Sequence, residues 1–561
     1  MELRARRLAR LIGLAVALAA AALAGAVPAA AAERLTRPVL PDQAPAGYRL
    51  TPNRAIALAD RTAEVREERS ARPRLAATAY TDGPGRWRVS YFDRRHERAQ
   101  VMVDDRLGAV TEAWTGAQVS WRMARGYEGA FGRTLNAPWV WLPLCAVFLL
   151  PFVDPRRPFR LLHLDLLVLL AFGVSHVFFN QGEIGASVPL VYPVLIYLLV
   201  RMLAAGFRPR VRREPLVPFV PARWLVVGLV FLVAFRVGLN VIDSNVIDVG
   251  YAGVIGADRV ADGEQLYDGR FPESNDHGDT YGPVNYLAYL PFEQVMPWGG
   301  SWDSLPAAHA AAVAFDLITL AGLLLLGRRL RPGREGRLLG LALGFAWAAY
   351  PYSLFVLASN ANDSLVAMLV VFALLALSSA PGRGALVALA GAAKLAPFAL
   401  APLFIAGERR PGARGFVLAG AAFAAVVVLS FLPFLPDDGL RQVYDRTLGF
   451  QTGRDSPFSI WGQQPGLEWL HTVVKAAAVG LALLVAVVPR RRTPAQVAAL
   501  GAAVLIALQL AAMHWFYLYI AWFAPLVFVA LFAAYRTPGD EGELSAGEAR
   551  APAPVPARAL S

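Results

Sequence analysis

The chain has 561 residues, of which 56% are hydrophobic and only 17% are charged. A soluble domain carries about 25% charged residues, so this composition excludes an ordinary soluble protein and indicates a polytopic membrane protein. The net charge of +12 comes from short basic clusters between apolar runs, which is typical of membrane topology and not of nucleic-acid binding. Cys145 is the only cysteine, which excludes an internal disulfide.

The first residues have the pattern of a secretory signal. A basic stretch is followed by an apolar run, and small residues precede Glu33. We expect a signal peptide over residues 1–32, with an uncleaved membrane anchor as the alternative. Either one places the following segment outside the cytoplasm.

Residues 34–135 are polar and predict a small extracytoplasmic α+β domain. The pattern indicates a helix over residues 53–70 and strands over residues 86–92, 99–105 and 107–114. This order, together with the stretch VMVDDRLGAVTEAW, resembles the PepSY-type domain, which implies a binding or regulatory module. A generic α+β module is the alternative.

Eleven apolar segments are long enough to be candidates for crossing a bilayer. Basic loops such as residues 206–215 and 328–337 are expected inside, which places residues 241–305 outside. We predict a polytopic all-α membrane fold in the plasma membrane, with three accessory spans at 137–205, a core at 222–536 and a disordered cytoplasmic tail at 537–561. The predicted spans are residues 137–153, 160–179, 185–205, 222–240, 306–327, 337–357, 363–380, 414–433, 468–489, 494–512 and 515–535.

Residues 384–407 are apolar, but both of their flanks are basic, so a single crossing would reverse every later span. A hairpin of two short helices, broken at residues 394–397, keeps all the basic loops on one side. Pro397 removes a backbone donor and kinks the chain there. The break raises Lys394 into the membrane interior or toward its outer side, where an ammonium marks a functional site by default. A snorkelling lysine is the alternative.

Three segments on the predicted outer side combine carboxylates, cations and aromatic residues. They are NVIDVGYAGVIGADRVADGEQLYDG at 245–269, SNAND at 359–363, and RQVYDRTLGFQTGRDSPFSIWG at 441–462. Sugar transfer from a lipid phosphate needs this mixture. A carboxylate takes the proton of the acceptor hydroxyl, and cations stabilise the departing phosphate.

The first of these segments is similar to the first-loop signature of the GT-C glycosyltransferases, through DVGY at 248–251 and GEQLY at 263–267. GAAKLAPFALAPL at 391–403 and SPFSIWG at 456–462 also resemble parts of that superfamily. The resemblance covers residues 222–536 and is closest to the actinobacterial polyprenyl-phosphate-mannose-dependent mannosyltransferases. It implies an inverting transfer of a hexose, expected to be mannose, from a polyprenyl-phosphate donor to a glycan, lipid or protein acceptor of the cell envelope. No cofactor and no metal are predicted.

The resemblance implies an extracytoplasmic acidic base, which corresponds to Asp248, with Asp243 as the fallback. Asp248 could instead be the N-cap of a helix over residues 249–262. The basic candidates for binding the donor phosphate are Lys394, Arg236, Arg446 and Arg454. The candidates for binding sugar or acceptor are Tyr251, Tyr267, Asn362, Asp363, Trp461 and His514.

Several candidates also have a structural interpretation. The two tyrosines could anchor the chain at the membrane interface, and Arg236 could snorkel. Asp316 lies in the middle of a predicted span and is expected to be a buried partner of a basic or hydroxyl group.

Two other functional classes fit a polytopic membrane protein. A lipid-linked sugar flippase or transporter is one, although transporters often carry broken helices in both of two repeats, and this chain has one break. A sensor or scaffold with a degenerate core is the other. The acidic loop, which keeps its tyrosines and glycines, favours the enzyme.

Overall fold

The computed structural model describes residues 35–94, 96–126, 131–302, 305–408, 412–454 and 456–536. The expected signal peptide and C-terminal tail lie outside these residues. The described part of the chain forms a small sheet domain followed by a large helical bundle.

The sheet domain has two helices and a four-stranded antiparallel meander in the order β1-β2-β3-β4. The helices cover one face of the sheet, and Trp87 and Tyr91 of β2 are fully buried beneath them. The elements are α1 (Pro52–Ala59), α2 (Ala63–Ala71), β1 (Ala76–Thr81), β2 (Arg86–Asp93), β3 (His96–Asp104), β4 (Ala109–Thr115) and the short α3 (Ala117–Ser120).

Two details of the sheet domain differ from the prediction. The single helix predicted at 53–70 is two helices, because the Thr62 side chain accepts from the Val65 N–H and starts a new helix. Strand β1 was not predicted. Its residues do not alternate between buried and exposed, so it lacks the period of two that marks a strand.

Eight of the eleven predicted spans coincide with helices of spanning length, if the bent pair at 337–357 is counted as one span. The other three, at 137–153, 363–380 and 515–535, coincide with shorter apolar helices. Among the described residues, seven helices are long and apolar enough to cross a membrane, and the pair Gly333–Ala349 and Pro351–Ala358, bent by 55°, brings the number to as many as eight. The helices are α4 (Pro138–Leu149), α5 (Leu161–Asn180), α6 (Ile184–Phe207), α7 (Ala222–Ile242), α8 (Asp248–Ala261), α9 (Pro283–Glu293), α10 (Pro306–Leu330), α11 (Gly333–Ala349), α12 (Pro351–Ala358), α13 (Asp363–Leu375), α14 (Ala380–Ala393), α15 (Ala401–Ala406), α16 (Ala413–Phe431), α17 (Gly439–Tyr444), α18 (Phe450–Gly453), α19 (Ile460–Gln463), α20 (Glu468–Val487), α21 (Pro494–Ala511) and α22 (Ile520–Phe532). The chain is therefore a multi-pass, mostly helical membrane protein, as predicted.

The hairpin predicted at residues 384–407 is present. Helix α14 ends at Ala393, a 3-10 turn follows at Ala396–Leu400, and α15 runs back. Arg383, at the start of α14, donates to the carbonyl oxygens of Phe404 and Ile405 at 2.7 and 3.2 Å. Both ends of the hairpin therefore lie at the same end of the bundle, and Lys394 lies at its apex.

The two ends of the bundle differ in charge. At one end, which we name the basic end, arginines bind backbone carbonyls of neighbouring loops: Arg160 binds Pro215, Arg331 binds Ala533, and Arg492 binds Val485 and Ala486. At the other end, the loop face, the three chemistry-bearing segments meet. Gln442 donates to the Tyr267 oxygen there.

Candidate functional site

Helix α8 lies close against its neighbours on the loop face because of glycines spaced three residues apart. A Cβ on Gly250 would lie 2.2 Å from the Asn360 carbonyl oxygen, and one on Gly256 would lie 2.0 Å from the Tyr286 ring. Only glycine allows this approach, since real Cβ contacts are longer. The first residue of this helix is Asp248.

The turn at residues 359–363 is bonded to the chain that leads into α8. Asn360 has a φ of +49°, and its amide donates to the Ser244 hydroxyl and to the Asn245 carbonyl oxygen. The Ile247 N–H donates to the Ser359 oxygen at 3.2 Å. These bonds hold Asp248 beside the start of α13, where Asn362 and Asp363 lie.

Lys394 enters the same region from the hairpin apex. Its ammonium donates to Asn362 Oδ1 at 2.9 Å and to Asp363 Oδ1 at 2.7 Å. An ammonium has three N–H donors, so one remains for a ligand. Three aromatic rings surround the ammonium at 5.3–5.5 Å: Tyr281, Tyr519 and Trp522.

Asp363 is fully buried and holds the lysine in place. The Trp522 indole N–H also donates to Asp363 Oδ1, at 2.7 Å. Asn362 donates to Asn285 at 2.9 Å, which ties the start of α13 to α9. Asn362 and Asp363 therefore support the ammonium of Lys394. Their assignment to sugar or acceptor binding remains a prediction.

Asp248 is exposed to solvent, and the surrounding protein nevertheless raises the pKa of its carboxyl, mainly by burial. We name the water-accessible region around Asp248, Lys394 and Arg454 the recess. A hydrogen bond from the Val249 N–H, then Arg454 and Lys394, oppose the rise in this pKa, and Asp363 adds to it. We name Asp248, Asp363, Lys394 and Arg454 the charged cluster.

Asp248 does not cap α8. The N-cap position is Ile247, and no side chain caps this end of the helix. The alternative interpretation of Asp248 as an N-cap is therefore wrong.

Arg454 comes from the third segment and, like Lys394, lowers the pKa of Asp248. Its guanidinium lies 4.7 Å from the Trp121 ring centre and 5.6 Å from that of Phe450. Among the described residues, no carboxylate lies within ion-pair distance of Arg454. A cation held by aromatic faces keeps its charge available for an anion.

His514 completes this side of the recess. Burial, then Arg454 and Lys394, hold its pKa well below the usual value, so the imidazole is neutral near pH 7. Its Nδ1 lies 2.8 Å from the Ser456 hydroxyl.

Asp243 and Arg446 lie on the loop face but have structural partners. Asp243 accepts from the Thr134 N–H at 3.1 Å and lies 3.8 Å from Arg133. Arg446 lies 2.7 Å from the buried Asp279 carboxylate and links the third segment to the first.

The assignment of Arg236 to phosphate binding is wrong in this structure. Arg236 is fully buried and donates to Asp316, to the Ala348 carbonyl oxygen and to Ser353. Trp347 also donates to Asp316 at 2.9 Å. A buried ion pair whose polar atoms are satisfied in this way is a structural element, as expected for Asp316.

The assignments of Tyr251, Tyr267 and Trp461 to sugar or acceptor binding also disagree with the structure. Tyr251 is buried and stacks on Trp302 at 4.6 Å. Tyr267 is fully buried and donates to the Tyr281 oxygen. Trp461 donates to the Leu510 oxygen and stacks on His471. All three hold the loops together, because their rings are packed against protein.

The residues that sequence reasoning missed are aromatic. Tyr281 lies in the DTYGP stretch, and Tyr519 and Trp522 lie in WFYLYIAWF, where a dense aromatic pattern gave a general signal but no individual one. Trp121 gave no signal, because it lies within residues 34–135, which were predicted to form a small domain outside the membrane core.

Comparison with known families adds to this geometry. Residues 280–512 match the model of glycosyltransferase family 87. This is a GT-C type family, so the match indicates a membrane glycosyltransferase, with a lipid-linked sugar donor and a glycan acceptor in general. No curated protein and no solved structure matches the chain.

The family 87 match spans less than half of the chain. It includes Asp363, Lys394 and Arg454, and it begins after Asp248 and ends before His514. The sheet domain and helices α4 to α8 lie outside the match.

Proposed function

We propose that this protein transfers a hexose, mannose in the first instance, from a polyprenyl-phosphate donor to an acceptor in the cell envelope. The observation that carries the proposal is that the solvent-exposed carboxylate of Asp248 lies close enough to Lys394 and Arg454 for both cations to lower its pKa. A base and two cations on one recess are the groups that glycosyl transfer from a lipid phosphate requires.

In the proposed reaction, Asp248 accepts the proton of the acceptor hydroxyl as that oxygen attacks the anomeric carbon. The bond between this carbon and the phosphate oxygen breaks, and the lipid phosphate leaves with the electron pair. Attack from the side opposite the phosphate inverts the anomeric configuration. A carboxylate whose pKa is raised by burial is a better proton acceptor than an ordinary one.

The two cations have different roles in this proposal. Lys394 is already paired with Asp363 and directs one remaining N–H donor at the phosphate. Arg454 offers a planar fork suited to phosphate oxygens. Together they stabilise the negative charge that grows on the leaving group.

The loop face is proposed to be extracytoplasmic. The arginine-rich loops gather at the opposite end, and an excess of lysine and arginine marks the cytoplasmic side. The polyprenyl chain would lie along the bundle, with its phosphate at the recess. The PepSY-like character of the sheet domain and the cytoplasmic position of the C-terminal tail remain predictions.

The test compares two aspartates that are five residues apart. In membranes that contain the protein, transfer from radiolabelled polyprenyl-phosphate-mannose is expected to fall by at least 100-fold in Asp248→Asn, as is typical when a general base is removed. Asp243→Asn is the matched control. It is expected to keep most activity, because an asparagine oxygen can still accept from the Thr134 N–H.

Both variants are compared with the wild type at equal protein level. Full transfer by Asp248→Asn together with loss in Asp243→Asn would reverse the assignment of the base. Absence of transfer by the wild type from several lipid-linked sugars would contradict the proposed function itself.

A further inference from the structure

The segment at residues 116–126, which we name the bridge segment, is fixed to the sheet domain. Arg125 donates through Nη2 to Gln100 Oε1 of β3 at 2.5 Å and through Nε to the Gln118 oxygen at 2.8 Å. Its guanidinium also lies over the Trp114 ring of β4, at 5.6 Å. The bridge segment is therefore an extension of the sheet and not a loose linker.

The bridge segment is equally fixed to the bundle. Gln118 donates to the Gly182 oxygen, in the turn between α5 and α6, at 3.0 Å. A Cβ on Gly126 would lie 2.3 Å from the Gly182 nitrogen, and one on Gly182 would lie 2.5 Å from the Arg125 oxygen. The backbone of the bridge segment is in direct contact with the backbone of the turn at Gly182. This contact fixes the position of the sheet domain relative to the bundle.

Trp121 projects from this segment onto the wall of the recess. Its ring lies against the Arg454 guanidinium at 4.7 Å, meets Phe458 edge-on at 5.6 Å and lies 5.6 Å from His514. Within the part of the chain that the structure describes, Arg454 has aromatic contacts and no ion pair. The position of its guanidinium therefore depends on these rings.

We propose that Trp121 is a positioning residue that aims Arg454 at the phosphate of the lipid donor. On this inference the sheet domain completes the donor site of the membrane core and is not a separate binding module. The inference rests on the proposed function, because it assigns Arg454 to the donor phosphate. It adds a residue from outside the stretch that matches the family model.

The expected signature separates positioning from folding. Loss of the ring in Trp121→Ala frees the guanidinium, so the KM for the lipid donor should rise about tenfold, while kcat changes less. Trp121→Phe retains an aromatic face and should recover most of the loss. Trp139→Ala is the control, because Trp139 is 71% exposed at the start of α4 and away from the recess.

The mechanism predicts that the two residues act as a unit. Arg454→Met alone should raise the donor KM, and Trp121→Ala should add little in the Arg454→Met background. Additive effects of the two substitutions would overturn the inference. So would an unchanged donor KM in Trp121→Ala, or a failure of Trp121→Phe to recover activity in a folded protein.

A second measurement keeps the inference separate from the proposed function. If the wild type transfers no sugar, the proposed function fails. Thermal unfolding in detergent then compares four full-length proteins: the wild type, Trp121→Ala, Arg454→Met and the variant with both substitutions. Non-additive shifts in Tm for Trp121 and Arg454 would support the positioning contact. Additive shifts would refute it.

Discussion

At the scale of single residues, the charged cluster sets the proton affinity of Asp248 by opposing effects. Burial raises the pKa of this carboxyl, whereas Arg454 and Lys394 lower it. The two cations proposed to bind the phosphate therefore also keep the base unprotonated. One consequence is a link between donor binding and the pH dependence of the reaction.

Replacing Arg454 by methionine should shift the acidic limb of the pH–rate profile to higher pH. A base must be unprotonated to act, so the rate rises as the pH passes its pKa. Arg454 lowers the pKa of Asp248, so its removal raises that pKa and moves the limb upward. The measurement is kcat/KM for the donor against pH, which reports the pKa of the enzyme without bound donor.

The control for this prediction is Arg446→Met. Arg446 is a cation of the same segment, but it pairs with Asp279 and is not among the groups that shift the pKa of Asp248. A shift of equal size in both variants would contradict the specific link between Arg454 and the base.

The sequence predicted part of this residue-level arrangement. Lys394 was identified because an ammonium in the membrane interior is costly, and Asp248 because its segment resembles the first-loop signature of the GT-C glycosyltransferases. Asp363 and His514 were identified in turns on the predicted outer side.

Arg236 was assigned to phosphate binding because it is also a charged residue in an apolar span, but the structure shows it in a buried ion pair. An arginine in a span needs an anionic partner whether its role is structural or functional. The partner of Arg236 is Asp316, which lies 80 residues away in the chain. Sequence patterns cannot distinguish the two cases, since the difference lies in the tertiary contact.

At the scale of elements, helix α8 depends on its glycines. Gly250, Gly253 and Gly256 allow α8 to lie against the Asn360 turn and the Tyr289 and Tyr286 rings. The position of Asp248 therefore depends on close packing of α8, which is possible because the packed face of this helix carries glycines and no larger side chains.

Gly250→Ala should displace the start of α8 and reduce both activity and stability. The new Cβ would lie 2.2 Å from a backbone oxygen that cannot rotate away. Overpacking of this kind costs about 1–3 kcal/mol, and a displaced base loses on the order of 100-fold in rate. Thermal unfolding and the transfer assay measure the two effects.

Gly238→Ala is the matched control for the helix substitution. Gly238 lies in α7, and nothing is within 4 Å of its added Cβ, so alanine should be neutral or slightly stabilising there. If both alanine variants behaved like the wild type, close packing of α8 would not position the base.

The sequence predicted the membrane helices well and the sheet domain less well. An apolar run of spanning length is a strong local signal, so every predicted span coincides with a helix. The hairpin required a second signal, the charge of its flanks. Strand β1 has no regular alternation of buried and exposed residues, so its sequence pattern is weak. The division of the first helix depends on one capping residue, Thr62, which a periodic pattern does not reveal.

At the scale of the whole molecule, charge is separated along the axis of the bundle. Arginines bind the loops at the basic end, and the charged cluster lies on the loop face. This separation favours one orientation in a membrane, with the recess outside.

Cysteine labelling tests this orientation. Cys145 is the only cysteine, so Cys145→Ala gives a background without thiols. In intact cells, a membrane-impermeant maleimide should label Asp437→Cys on the loop face. It should label Arg334→Cys at the basic end only after permeabilisation, because that end is expected to face the cytoplasm. Both positions are exposed in the fold, so both cysteines can react once the reagent reaches them. The reverse pattern would mean that the recess faces the cytoplasm.

The bridge segment also has a consequence for the order of events during synthesis. Trp121 precedes Arg454 by more than three hundred residues, and His514 and Tyr519 follow later still. The sheet domain is translated first and can fold first. Trp121, which follows it, can contact Arg454 and His514 only after the late helices have entered the membrane. The recess therefore closes as a late, long-range step, and chains that stop short of α22 should lack a complete aromatic cage around Lys394.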